Sequence, residues 1–199
     1  MWPPVCCWRP SRSSGRDLLN IEETLYWVDQ FIPGELALKE LGQLHVAVTD
    51  LGEGQRLGCT VDFAVVDTGL ETADEALPVR SELLAVATAG EQQIIDVLAA
   101  AATTLIDAAG VLPAQPGTML PNLAARAGLD GVSVAHGLFV PPYLWGGQVP
   151  RMTEDDRLTV LLQLVMLTDA EHAFAVEEGV GALQQELGAA GIDLLDWQR

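Results

Sequence analysis

Residues 158–171 read LTVLLQLVMLTDAE, and this run decides the fold. Leu162, Leu164 and Met166 point one way and Leu161, Val165 and Leu167 the other, so a strand here is apolar on both faces. A strand of that kind lies at the centre of a sheet that is covered on both sides. Thr168-Asp169-Ala170-Glu171 follows as a capping box, in which Thr168 and Glu171 satisfy the first free N–H groups of a helix that Gly179 closes. A last helix carrying Val180, Leu183 and Leu187 ends at Gly191.

Upstream, Val132 to Val140 predicts another strand, stopped by Pro141-Pro142 and followed by the Gly-rich loop Tyr143-Leu144-Trp145-Gly146-Gly147. Residues 113–121 read as loop and 122–127 as a short helical turn. The clearest helix is 91–109, where Ile94, Ile95, Leu98, Ala101, Ala102, Leu105 and Ile106 share one face while Asp96 and Asp107 point away. Val79 to Val86 reads as a strand. Before it, Cys59, Val61, Phe63 and Val65 line one face of a strand that pairs antiparallel with Leu44–Val48 across the loop from Asp50 to Gln55. Asn20 and Glu23 mark a capped helix start, and that helix stops near Pro33-Gly34. Strands and helices in this order, without strict alternation, predict an α+β fold: a largely antiparallel sheet of four to five strands packed with helices.

The chain has 199 residues, 28 Asp and Glu against 10 Lys and Arg, and a formal charge of −18. Hydrophobic residues make up 49%, enough for a packed core and too many for a disordered chain. A phosphate-tracking nucleic-acid binder needs a basic surface, and an anionic membrane would repel this one, so neither nucleic acid nor membrane is an expected partner. The apolar stretches at 93–112 and 158–167 are broken by Asp and Thr or too short to span a bilayer. Residues 1–16, MWPPVCCWRPSRSSGR, differ from the rest, with three arginines, three prolines, no acid and no apolar core of the secretory kind. They are expected to be a disordered tail or the product of a start codon assigned too far upstream. Without them 7 basic and 28 acidic residues remain, a net −21. Cys6, Cys7 and Cys59 show no CxxC or Cys/His spacing, which supports neither a disulfide framework nor a zinc site and fits a reducing cytoplasm. An acid excess with one lysine, Lys39, reads first as solubility charge and second as steering toward a basic partner.

Patterns that carry chemistry are few. Gly131-Val132-Ser133-Val134-Ala135 falls one residue short of a G-x-S-x-G nucleophile elbow, with Asp169 and His172 following in hydrolase order. An elbow needs its serine on a tight strand-to-helix turn, whereas Ser133 sits between valines in a continuing strand. A small serine hydrolase using Ser133 and His172 is therefore the alternative reading. His45, His136 and His172 show no metal-ligand spacing, and His136 shares a strand face with Val134 and Leu138 as a hydrogen-bonded core or rim histidine would. Glu154-Asp155-Asp156 reads first as a solvated turn, then as a divalent-cation site or a carboxylate pair, and it is also a candidate acidic contact for a protein partner. No Gly-rich loop carries a lysine to cradle phosphate, and no cofactor or metal is expected. Pro141-Pro142-Tyr143-Leu144-Trp145 is the most interesting exposed candidate: Tyr143 and Trp145 on a proline-stiffened loop either anchor a protein partner or fold back on the core as a lid.

The C-terminal third resembles the Suppressor of fused family, in which an apolar strand runs into Leu-Thr-x-x-Glu, a helix closed by Gly, a second short helix and an ending near Leu-Asp-x-x-Arg. The matching residues are 161–171 (LLQLVMLTDAE), Gly179 and Leu195-Asp196-Trp197-Gln198-Arg199. Val66-Asp67-Thr68-Gly69-Leu70, Pro78-Val79-Arg80-Ser81-Glu82-Leu83, Pro116-Gly117-Thr118 and His136-Gly137-Leu138-Phe139 stand upstream in the order of the bacterial members, so the likeness covers residues 40–199. The resemblance implies one α+β domain over 17–199, of the bacterial single-domain type, that is not an enzyme and binds another protein. Animal members restrain a transcription factor in Hedgehog signalling, and bacterial relatives have been proposed as immunity proteins that neutralise secreted toxins. The expectation is therefore a cytoplasmic immunity-type inhibitor of a toxin or other basic protein. Among the residues themselves, Tyr143, Trp145, Glu154, Asp155 and Asp156 are the candidate partner contacts.

Overall fold

The computed structural model describes residues 15–74, 76–145, 149–154 and 157–199. Cys6, Cys7, Gly146, Gly147, Asp155 and Asp156 lie outside the described residues, as does most of the 1–16 segment. The chain runs α1 (Gly15–Asp29), β1 (Ala37–Leu41), β2 (Leu44–Gly52), β3 (Gln55–Thr60), β4 (Leu70–Glu71), β5 (Pro78–Thr88) and α2 (Glu91–Asp107). It continues with β6 (Met119–Leu120), α3 (Leu123–Arg126), β7 (Val134–Val140), β8 (Arg151–Thr153), β9 (Leu158–Thr168), α4 (Asp169–Glu178) and α5 (Val180–Ala190). Among the described residues the nine strands form one sheet, β1-β2-β3-β5-β9-β7-β6, with β4 paired to β5 and β8 to β9.

β9 takes the central place that its two apolar faces require. It pairs in parallel with β5, from Val79 opposite Leu158 to Ala85 opposite Leu164, and antiparallel with β7. Leu162, Leu164 and Met166 enter the core beneath α2, while Leu161, Val165 and Leu167 enter clusters on the other face. α2 buries Ile94, Leu98, Ala101 and Leu105 against Val46, Val48, Leu83 and Ala85. Its close approach depends on Gly58 of β3, where a Cβ would stand 2.5 Å from Ile94 Cγ2. The second face is covered in two pieces. α1 and the turn after it set Trp27, Val28 and Ile32 on Leu57, Leu84 and Leu161. The α4–α5 pair sets Ala175 and Leu183 on Leu138, Val140, Val165 and Leu167.

The α+β class and the largely antiparallel sheet agree with the sequence reading, but four to five strands is too few and the central pair is parallel. β1, β4, β6 and β8 are only 5, 2, 2 and 3 residues long, too short to show alternation. Cys59, Val61, Phe63 and Val65 do not share a strand face, because β3 ends at Thr60 and Phe63–Val65 wind into a 3-10 turn. Glu82 is the cause. This fully buried carboxylate on β5 accepts from the Thr60 hydroxyl (2.5 Å) and from the N–H groups of Phe63 (3.1 Å) and Ala64 (3.0 Å). Asn20 is not an N-cap either, since α1 runs through it from Gly15. A register shift between Val134 and His136 separates two residues expected on one face: Val134 joins the core beneath α2 and His136 meets α4.

Candidate functional site

Covering the second face with two separate helical pieces leaves a groove of about 860 Å³ between α5 and strands β7 and β9. Leu138 and Val140 of β7 and Val165 and Leu167 of β9 form its floor; each pair is two residues apart and so shares a face. α5 contributes Leu183, Gln184, Leu187 and Gly188, and the rim comes from Pro141-Pro142-Tyr143 and from Ile192 and Leu194 after α5. Tyr143 and Gln184 are the polar side chains of the lining. A wall of this chemistry holds apolar side chains by contact and presents no acid–base pair for a bond-breaking step.

Pro141 and Pro142 end β7 and carry the chain to Tyr143, whose backbone N–H donates to Gln163 Oε1 at 3.3 Å. Gln163 is the one polar break between Leu161 and Val165 on that face of β9; it is fully buried, and its amide nitrogen has no partner among the described residues. The Tyr143 side chain stays 46% exposed on the rim. Trp145 instead folds back: its indole N–H donates to the Phe31 carbonyl at 3.1 Å, and its ring packs on the α1 cluster. The two aromatic candidates thus part, one onto the rim and the other onto the end of α1. Glu154 accepts from Arg157 at 2.9 Å in a turn closed by its own N–H on the Arg157 carbonyl, and it is not in the groove lining.

Ser133, Asp169 and His172 do not assemble as a triad. Ser133 precedes β7, and its hydroxyl lies 3.2 Å from the Trp197 carbonyl and 2.5 Å from that of Arg199. Asp169 is engaged by His136, Nε2 to Oδ1 at 2.8 Å, rather than by His172. His136 Nδ1 accepts the Asn122 N–H at 3.1 Å, which places its proton on Nε2. His172 stacks on that ring with centroids 4.0 Å apart, and its burial, with His136 beside it, pushes its pKa down. His45 Nδ1 lies 2.8 Å from Asp62 Oδ2; burial nevertheless pushes the Asp62 pKa up. Among the described residues no three His, Cys, Asp or Glu side chains converge as a metal site.

Arg199 ties the segment after α5 to the start of α4 and to β9. Its Nε and Nη2 donate to the two carboxylate oxygens of Glu171 at 3.0 and 2.8 Å, and Nη2 also reaches the Met166 carbonyl at 2.7 Å. Glu171 completes the capping box with Thr168, so the residues before Arg199 are stitched to the start of α4. Burial raises the Glu171 pKa, but the Arg199 guanidinium and the Thr168 N–H outweigh it and hold the carboxyl below its usual value. Sequence reasoning missed the groove residues Leu138, Val165 and Gly188 as a site, because each belongs to an element whose apolar spacing already accounts for it. Gln163, a polar residue in an apolar strand, was the available signal.

A family model described as Suppressor of fused protein (SUFU) matches residues 46–199. No curated protein matches the chain at the significance required. Among solved structures, a SUFU (suppressor of fused protein) homologue from Neisseria gonorrhoeae FA 1090 superposes with a TM-score of 0.67 at 17% identity, covering 92% of this chain and 96% of that one. A chain of the Sufu–Fu complex superposes at 0.62 with 12% identity, covering 90% and 88%. Drosophila Suppressor of Fused gives 0.52 at 12% identity, covering 87% of this chain and 42% of its own. At such identities the superpositions establish the fold, and the match over 46–199 establishes descent: the chain belongs to the Suppressor of fused (SUFU) family.

Proposed function

We propose that the chain is a non-catalytic protein-binding domain of the immunity type, which covers a basic protein such as a toxin and docks it on the groove beside α5. The groove carries this reading: about 860 Å³ with an apolar floor and Tyr143 on its rim, open on a chain of net charge −18. The floor itself is buried, and the large apolar side chains that reach the surface are those of the rim, Tyr143 at 46% and Ile192 at 40% exposed; such groups around a cleft on a strongly charged surface support a site of protein interaction. One structural neighbour was crystallised in a Sufu–Fu complex, so a chain of this fold takes part in a protein assembly. The acid excess sets the sign of the partner, since it speeds the approach of a basic protein and loses that effect in salt. Tyr143 is the proposed rim contact with Trp145 as its brace, and the Glu154-Asp155-Asp156 run is a secondary acidic contact proposed on charge alone.

Placing a photo-crosslinking residue at Tyr143 tests the reading. In host lysate at low salt the expected result is an adduct with a basic protein that is absent when the crosslinker stands at Val111, an exposed site beyond α2. Equal adducts from both positions, or none from Tyr143, would overturn it.

A further inference from the structure

We propose that the groove receives an amphipathic α-helix of the partner, apolar on the face that enters and basic on its flanks. This rests on the protein-binding reading of the groove. Its floor decides the conformation. β7 and β9 pair with each other along the floor, Leu138 opposite Val165, and they present side chains of one sheet face to the groove rather than a strand edge. An extended segment laid there finds no free strand edge, so its own N–H and C=O groups would be buried against apolar side chains without partners. A helix arrives with its backbone hydrogen bonds already made and needs only apolar anchors one turn apart.

The wall is shaped for the close approach of such an element. Gly188 lies on the groove side of α5, and a Cβ there would meet nothing within 4 Å. Glycine inside a helix is less stable than alanine, so its effect here is to leave the wall low between Gln184 and the turn at Gly191. Charge decides the flanks. From residue 158 to 199 the chain carries seven carboxylates, and its one Arg or Lys is Arg199, which is already held by Glu171. Asp193 follows the rim residue Ile192, and burial together with its carboxylate pushes the Tyr143 pKa up, while Glu186 precedes Leu187 and lies round α5 from the groove. Basic side chains flanking an apolar stripe match this wall, whereas a second copy of the chain would set acid against acid.

The probe is a fluorescent leucine–lysine amphipathic helix of about five turns. It is compared by anisotropy with a leucine–glutamate helix of the same leucine spacing and with a leucine–lysine scramble whose leucines do not share a face. The full chain is tested as wild type, Gly188→Trp and Gln184→Trp, with Gly181→Trp on the same helix outside the groove lining as the control. Circular dichroism confirms that each variant folds, and the second groove variant keeps the test decisive if one does not. The expected result is binding of the leucine–lysine helix that weakens with salt, falls at least about tenfold in the groove variants and holds in Gly181→Trp. The other two peptides bind at least about tenfold more weakly to wild type. Equal binding of the scramble, or no loss in the groove variants, shows adhesion to acid alone and overturns the proposal. Equal binding of the leucine–glutamate helix overturns the basic flanks, and no binding of any peptide overturns the helical occupant. The Tyr143 crosslink reports on the protein-binding reading separately, so a failure of the helix and a failure of that reading are distinguishable.

Discussion

Glu82→Gln removes a titration from the core. Burial pushes the Glu82 pKa from 4.5 to about 7, although the Thr60 hydroxyl and the Ala64 and Phe63 N–H groups favour the charged form. A carboxyl that holds its proton more tightly folded than unfolded stabilises the fold fully below its unfolded pKa. That contribution is lost as the pH rises through the folded value, here between about 4.5 and 7. The loss approaches about 1.4 kcal/mol per pH unit, or roughly 3 kcal/mol across the window. Glutamine keeps the shape and one acceptor but turns an amide N–H toward the donors, so the variant is less stable by about 1–3 kcal/mol at pH 5 and lacks this slope. Urea unfolding at about pH 5, 6, 7 and 8 reads both effects. Asp62, whose pKa burial also raises, contributes to each protein and largely cancels in the difference. The stability advantage of wild type over variant should shrink by roughly 2–3 kcal/mol from pH 5 to pH 8. A difference that stays constant with pH would refute the reasoning, because Glu82 would then titrate alike in both states.

Arg199→Ala should cost roughly 2–4 kcal/mol in urea unfolding, since it takes the guanidinium from the shielded Glu171 carboxylate, which keeps only the Thr168 N–H, and from the Met166 carbonyl. Arg199→Lys should recover less than half, because a point charge cannot make the two-oxygen fork; full recovery would show that charge alone matters. Gly58→Ala should destabilise by about 1–3 kcal/mol through its clash with Ile94, while Gly188→Ala, in open space on α5, should stabilise by about 0.5–1 kcal/mol. Thermal midpoints moving in the same direction would contradict that contrast. Ser133→Ala should lower stability by about 1 kcal/mol by removing the hydroxyl donor to the Arg199 oxygen, while the Trp197 carbonyl keeps the backbone N–H of residue 133. It should leave any background ester hydrolysis unchanged, and serine-dependent turnover on an esterase panel would reinstate the hydrolase reading.

The sheet was legible wherever one segment carried enough residues to show a period. β9, α2, α4 and α5 follow their apolar spacing and their caps, and the Thr168–Glu171 box forms as its residues require. What stayed hidden depends on contacts far apart in the chain. Residues 59–65 alternate like one strand, and only the arrival of Glu82 from β5 turns their second half into a 3-10 turn. The parallel pairing of β5 with β9 leaves no local mark, because either strand would read alike in an antiparallel pair. For the site, Tyr143 was visible as an aromatic after two prolines. The groove was not, since it is defined by what α1 and α4–α5 fail to cover. Trp145 shows the limit of the same signal: an identical loop context, settled by the distant Phe31 carbonyl.

The parallel seam also governs how the protein comes into being. Val79 of β5 must wait for Leu158 of β9, 79 positions later in the chain. At about 5–20 residues per second, translation keeps the two apart for roughly 4–16 seconds. Through that interval β5 offers a bare, apolar edge, Leu83-Leu84-Ala85-Val86, to any other nascent strand. Closing so long a loop is also slow in a free chain, because the entropy is lost before the contacts form. Soluble yield should therefore depend on chaperones and on growth temperature more steeply than the stability of the finished sheet suggests.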